Sequence, residues 1–319
     1  MAEVAVNTSA AASSPGAAAG PPAVQTVELS KRFGKTVALA GLTMTVPRGE
    51  VFGFLGPNGA GKTTAVKLLL GLLRKTSGDG SLLGKPIGDL QTRRHIGYLP
   101  ELFRYQSWLS AAEVLALHCE LAPLPRSSWK DEIKTALETV GLSDRANDKV
   151  GTFSKGMQQR LGLGAALLGE PELVFLDEPT SALDPVGRHD VREIIRGLAS
   201  RGTAVFLNSH LLSEVEQVCD RVAVVDHGRV IAGGTLDDLL RGDTVHLRVA
   251  GLTAEGRSAL ERSGFELDGD GERLVARGVA SERVPLLIDA LVRAGARVYE
   301  VSPAHESLED RFLALLKDR

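Results

Sequence analysis

The chain has 319 residues, 43% hydrophobic and 24% charged, which is ordinary globular composition and enough polypeptide for roughly two domains. Its 37 basic and 40 acidic residues leave a formal charge of −3, so no global cationic field exists to hold nucleic acid or an anionic bilayer. Cys119 and Cys219 show neither CxxC spacing nor a neighbouring His cluster, which argues against a disulfide framework or structural zinc site and suits a reducing cytosol.

In chain order, residues 1–23 are rich in Ala, Ser, Gly and Pro and lack both the cationic and the apolar region of a signal peptide. Too few large apolar groups are present there to offset ordering entropy, so a disordered tail is expected. From Val24 onward strands and helices alternate. Gly49–Leu55 is a short apolar run ending in a glycine-rich loop, and Lys62–Leu73 carries Val66, Leu69, Leu70 and Leu73 at helical spacing. Helical spacing prevails between Leu109 and Gly164, predicting a helical subdomain over about 102–165. Leu173–Leu176, Ala204–Leu207 and Val222–Val225 are apolar without alternation, as parallel strands buried on both faces are. No apolar stretch approaches the ~20 residues needed to cross hydrocarbon.

Composition shifts near Gly233-Gly234, and a short helix is expected at Leu236–Leu240. After it the pattern predicts strand Thr244–Val249, helix Ala254–Ser263, strands Phe265–Leu267 and Arg273–Arg277, helix Ser281–Ala294, strand Arg297–Val301 and helix Glu306–Lys317. The first six elements follow the β-α-β-β-α-β ferredoxin-like order. The expected organisation is an α/β domain over 24–240 followed by a small α+β domain over 241–319.

Gly56-Pro57-Asn58-Gly59-Ala60-Gly61-Lys62-Thr63-Thr64 satisfies G-x-x-x-x-G-K-[ST] in full, between a strand and a helix. Its glycines let backbone N–H groups curl around phosphate oxygens, Lys62 supplies a point charge, and Thr63 offers a hydroxyl to Mg²⁺. A P-loop alone leaves kinases, GTPases, helicases and transport ATPases open. Asp177-Glu178 at the carboxyl end of a buried strand narrows the choice to hydrolysis, with Asp177 holding Mg²⁺ through water and Glu178 polarising the attacking water.

Three further segments carry a family resemblance. Thr152-Phe153-Ser154-Lys155-Gly156-Met157-Gln158-Gln159-Arg160 resembles the signature loop of ATP-binding-cassette (ABC) ATPases. Asp177-Glu178-Pro179-Thr180-Ser181-Ala182-Leu183-Asp184 resembles their Walker B motif running into the D-loop, and Asn208-Ser209-His210 their switch-histidine loop. The ordered set spans Val24 to about Ile231. The resemblance implies a P-loop NTPase nucleotide-binding domain in which two copies close head to tail around two ATP molecules. On that basis Ser154 and Gly156 would bind the γ-phosphate across a homodimer, His210 would contact it within its own chain, and Asp184 would lie at the interface. Phe33, 23 residues before Gly56, matches the adenine-stacking aromatic.

Two segments depart from the family pattern. Glu101 stands where Gln is usual, keeping an oxygen for metal or water but adding charge beside ATP; Lys155 and Met157 replace Gly and Gln in the signature loop. Both variants resemble those of a bacterial exporter branch of the daunorubicin-resistance type, as does the tail from Ser302-Pro303 to Leu308-Glu309-Asp310-Arg311-Phe312, where a regulatory or dimer-stabilising role is open. Tyr98, Phe103, Tyr105 and Trp108 put four of 14 aromatics within 11 residues, marking either the subdomain core or a docking surface for a membrane subunit. The reading implied is an ATP-hydrolysing exporter subunit, peripheral on the cytoplasmic membrane face, with a separate transmembrane permease and no nucleic acid as partner. The alternative is a soluble ABC ATPase acting on ribosomes or DNA.

Overall fold

The computed structural model describes residues 20–122, 124–279, 281–305 and 307–317. The expected disordered tail lies outside the described residues up to position 19. Its last residues are seated: Ala23 is buried, its carbonyl accepts the Leu83 N–H at 2.9 Å, and Pro21 O accepts from Arg48 Nε at 3.0 Å.

The chain opens with β1 (Val24–Phe33), β2 (Thr36–Val46) and β3 (Val51–Leu55), which leads through the P-loop into α1 (Lys62–Leu69). β4 (Ser77–Leu82), β5 (Lys85–Pro86) and the single turn α2 (Leu90–Arg93) reach β6 (Ile96–Leu99). The helical subdomain comprises α3 (Ala111–Leu121), α4 (Trp129–Thr139) and α5 (Lys155–Ala166). β7 (Leu173–Asp177), α6 (Pro185–Ser200), β8 (Ala204–Asn208), α7 (Leu212–Val218), β9 (Arg221–Asp226), β10 (Arg229–Thr235) and α8 (Leu236–Leu240) complete the first domain. Beyond it come β11 (Arg241–Ala250), α9 (Ala254–Arg262), β12 (Glu266–Asp268), β13 (Arg273–Arg277), α10 (Val284–Arg293), β14 (Arg297–His305) and α11 (Leu308–Lys317).

The central sheet has the order β10-β9-β3-β8-β7-β6, parallel from β9 to β6 with β10 antiparallel at one edge. Its strands are continuous apolar runs because each face meets a different core. Val51, Leu55, Val174, Leu176, Val205 and Leu207 enter the cluster shared with the helical subdomain and α6. Phe52, Phe54, Phe175 and Phe206 point the other way, toward α1 and the antiparallel sheet β2-β1-β4-β5. Phe206 lies 5.0–5.7 Å from the other three rings, the tilted spacing aromatic pairs favour.

Helix α1 stops at Leu69 rather than reaching Leu73. Gly71, at φ 67°, bonds its N–H to Leu68 O, and Leu72 bonds to Lys67 O at 2.8 Å. That is a Schellman stop: Leu70 ends the helix as its C-cap, and Leu73 packs on the core from beyond the turn. Helix α3 starts on a reciprocal cap between Ser110 and Glu113.

The C-terminal sheet has the order β12-β13-β11-β14, every pair antiparallel, which is the arrangement a β-α-β-β-α-β chain adopts. Val245, Leu247, Val249, Leu260, Leu287 and Leu291 build its own core. The final helix leaves that core and returns to the first domain. Leu308 is fully buried, its N–H donates to Glu216 Oε2 of α7 at 3.0 Å, and Phe312 and Leu315 join the first domain's core. Leu308→Ala should therefore cost about 2–4 kcal/mol in urea unfolding, whereas Leu313→Ala on the half-exposed face should change stability by less than about 0.5 kcal/mol.

Candidate functional site

The P-loop keeps its shape because side chains are excluded from two of its turns. A Cβ on Gly56 would lie 2.2 Å from Val225 O, and one on Gly61, which sits at φ 99°, would lie 2.4 Å from Ala38 O. Gly61 caps α1 without a side-chain acceptor, so the first-turn N–H groups face outward from the helix end, the arrangement that receives an anion. Lys62 Nζ donates to Gly56 O at 2.6 Å and Pro57 O at 3.2 Å, holding the lysine on the loop's own carbonyls. Burial lowers its pKa, against the opposing pull of Glu178, Asp177 and Glu101. Thr63 and Thr64 follow on α1, Thr63 exposed; Asn58 and Gly59 form the exposed crown of the loop, above buried Ala60.

Asp177 ends β7 beside Asn208 at the end of β8, and Glu178 follows it. Asp177 is buried, which raises its pKa; the hydrogen bond from Asn208 Nδ2 to its Oδ1, 2.6 Å, opposes that rise. Asn208 Oδ1 is itself buried and has no hydrogen-bond partner. The donors near the phosphate loop are a threonine hydroxyl on Thr63 and carboxylates on Asp177 and Glu101, hard oxygens that fit Mg²⁺. Among the described residues no group of three or more His, Cys, Asp or Glu forms a metal cage. These residues therefore fit an ion that keeps water and substrate phosphates as its other ligands, as Mg²⁺ does.

Glu178 occupies the left-handed region at φ 54°, uncommon for a residue other than glycine and costing of order 1–3 kcal/mol. Its carboxylate Oε1 accepts the His210 N–H at 2.9 Å and lies 2.8 Å from His210 Nδ1, while Oε2 accepts from Ser209 Oγ at 3.4 Å. The carboxylate is buried but the imidazole is largely exposed, so the pair joins the protein interior to the surface.

The remaining expected residues fall into distinct places. Ser154 caps α5, accepting the Met157 N–H at 3.2 Å, and Gly156 packs on Leu183 of the D-loop; Lys155 between them is exposed. Asp184 caps α6, accepting the Gly187 N–H at 2.8 Å. Phe33 is half-exposed at the end of β1, with Lys31 Nζ 4.8 Å above its ring. The aromatic segment divides. Phe103 and Tyr105 pack on the core, burial pushing the Tyr105 hydroxyl up to about 12. Leu102 and Trp108 are 87% and 68% exposed. A cavity of about 350 Å³ is lined by Tyr98, Phe103, Tyr105, Leu117 and Leu121. A larger cleft, about 900 Å³, lies between α4 and α6 and contains none of the phosphate-loop groups.

Asn208 and Gln159 stand inside the switch-loop and signature segments, but the motifs alone assign neither a role. Gln159 Nε2 donates to Glu178 O at 3.3 Å from inside α5. Its signal was available: a polar residue standing one and two turns before Leu163 and Ala166, on the helix face that is buried.

With the fold and this constellation in place, comparison with known proteins gives a single answer. The ABC transporter family matches residues 39–181. An uncharacterized ABC transporter ATP-binding protein of Synechocystis sp. is 42% identical, the match covering 93% of this chain and 85% of that one. The daunorubicin resistance ATP-binding protein DrrA3 of Streptomyces coeruleorubidus is 38% identical across 90% of this chain and 94% of its own. A solved structure of the ATP-binding subunit of an ABC transporter superposes with a TM-score of 0.63 at 32% identity, over 68% of this chain and 92% of that chain. The chain belongs to the ABC transporter ATP-binding proteins, whose chemistry is the binding and hydrolysis of ATP. No helix among the described residues is long and apolar enough to cross a membrane.

The burial of Asp177 has a consequence for stability. A carboxyl whose pKa is raised in the fold contributes stability only at low pH, and that contribution is lost as pH rises through the folded value. Nucleotide-free Asp177→Asn should therefore melt at a higher temperature than the parent at neutral pH. The difference should shrink toward about pH 4, where an ordinary carboxyl titrates.

Proposed function

We propose that this chain is the ATPase of an exporter: it binds MgATP, pairs head to tail with a second copy, and drives a separate transmembrane permease from the cytoplasmic membrane face. The observation that carries the hydrolytic part is the meeting of Glu178 with His210 beside Asp177 and the P-loop lysine. The exporter part is supported by the likeness to a daunorubicin resistance protein over nearly the whole of both chains.

In this reading the loop N–H groups and the α1 N-terminus receive the phosphates, and Lys62 exchanges the Gly56 and Pro57 carbonyls for phosphate oxygen. Phe33 stacks on adenine. Thr63, Asp177 and Glu101 would hold Mg²⁺, which when bound neutralises charge on the β- and γ-phosphates. Glu178 turns from the imidazole to a water, orients it toward the γ-phosphorus and accepts its proton; the bond to the bridging oxygen breaks and ADP leaves with the electron pair. His210, freed from the carboxylate, bonds the γ-phosphate. Ser154, Gly156 and Asp184 act across the homodimer, where the exposed α5 N-terminus suits a second copy's nucleotide.

The permease would dock on the exposed apolar side chains Leu102, Trp108 and Leu121, the last of which lines the cavity of the helical subdomain. Cargo selection would then rest with that partner.

Glu178→Gln should lower ATP turnover by about 10²–10⁴ while preserving ATP affinity, and should elute as an ATP-bound dimer in size-exclusion chromatography. Turnover at the parent rate would remove Glu178 from the role of base. Lys62→Ala should weaken nucleotide binding by more than roughly tenfold, the worth of a charge-assisted hydrogen bond. Tagged Glu178→Gln protein incubated with MgATP and solubilised membranes should retain a polytopic membrane protein, and Trp108→Ser should lose it while keeping basal ATPase activity. A ribosomal or DNA-associated partner in place of a permease would favour the soluble ABC ATPase reading.

A further inference from the structure

Glu178 is held in a conformation that its sequence neighbours disfavour. It sits at φ 54°, and the residue after it is Pro179, which restricts the preceding backbone and supplies no N–H. The peptide between Glu178 and Pro179 therefore has one polar handle, the Glu178 carbonyl oxygen. Three donors converge on that oxygen: Gln159 Nε2 at 3.3 Å, Ser181 Oγ at 3.1 Å and Ser181 N at 3.3 Å. On the other side of the residue, the Glu178 N–H donates to Asn208 O at 2.8 Å. With both flanking peptides pinned, the direction of the Glu178 side chain is set by the backbone before any contact of its carboxylate.

Ser181 belongs to the same turn as Glu178 and would move with it. Gln159 comes from elsewhere. It is buried, lies within α5, and is the single polar side chain among that helix's buried residues. The same helix begins at Ser154 and Gly156, the signature segment.

We propose that Gln159 is a positioning residue for ATP hydrolysis: through its hydrogen bond to the Glu178 carbonyl, the signature helix fixes the backbone that aims the catalytic carboxylate. The inference rests on the reading of Glu178 as the base. It adds a cause for a buried amide in an otherwise apolar helix face, and it makes the aim of Glu178 depend on the placement of α5 in the same chain.

The test compares Gln159→Met, which keeps side-chain volume and removes the donor, with Leu163→Ala on the same buried face of α5. Gln159→Met should lose roughly ten- to a hundredfold in kcat with KM for ATP and ATP affinity within about twofold of the parent, the signature of a misaimed group rather than a lost binding contact. Leu163→Ala should lower the melting temperature while retaining kcat at temperatures where it stays folded. Gln159→Asn, too short to reach the carbonyl, should reproduce the Gln159→Met split and serves if the methionine variant fails to fold. The proposal is overturned if Gln159→Met and Gln159→Asn turn over ATP at the parent rate, or if kcat falls only alongside an equal loss of ATP affinity. Glu178→Gln run in parallel separates the two levels: if it is inactive and the Gln159 variants are not, the positioning role alone fails. If Glu178→Gln itself hydrolyses ATP, both fall.

Discussion

The site depends on a sheet that is dry on both faces. β3, β7 and β8 lie side by side, and each alternates residues between two separate cores, so none can slide or tilt without opening one of them. Their carboxyl ends consequently hold fixed positions, and the P-loop, the Asp177-Glu178 pair and the Asn208-Ser209-His210 segment all leave from those ends. The central four phenylalanines, packed ring to ring below the loop, are the part of that scaffold a smaller side chain would disturb most.

On this scaffold burial and neighbouring charge pull the ionisable groups of the site in opposite directions. Asp177, Glu178 and Glu101 all act on Lys62, the cation of the P-loop, and burial disfavours charge on both Lys62 and Asp177. Hydrogen bonds partly offset the strain: Asn208 on Asp177, His210 and Ser209 on Glu178, and two loop carbonyls on Lys62. Each is a contact that a phosphate or a water can replace, which suits a site that must change partners during a cycle. The left-handed backbone at Glu178 belongs with these features, since local strain persists only where surrounding contacts over-determine it.

Much of this was legible in the sequence because the responsible signals are local. The run Gly56–Thr64 contains its own reason for being a phosphate loop, and unalternated strands such as Leu173–Leu176 announce burial on both faces. Helix ends were less legible: Leu73 keeps helical spacing although Gly71 has already turned the chain. The roles of Gln159 and Asn208 were not legible because each depends on a partner 19 or 31 residues away, Glu178 for one and Asp177 for the other. The aromatic cluster, open in sequence to either core or surface, divides: Phe103 and Tyr105 face inward while Trp108 beside them faces out.

The C-terminal extension illustrates the same limit and changes how the molecule is divided. Pattern alone assigns α11 to the second domain, yet its apolar face is buried on α7 and α8 of the first. Helix α7 begins two residues after His210 and is gripped from two sides. Arg192 of α6 meets Glu214 at 2.7 Å in a largely buried pair, and Glu216 accepts the backbone N–H of Leu308 at the start of α11. Breaking such a pair is costly, because removing either partner leaves the other charge buried and uncompensated. The helix leaving the switch loop is thus held by the D-loop helix on one side and by the end of the chain on the other. The last helix of the chain thus closes part of the ATPase core, while β11 to β14 with α9 and α10 keep a core of their own.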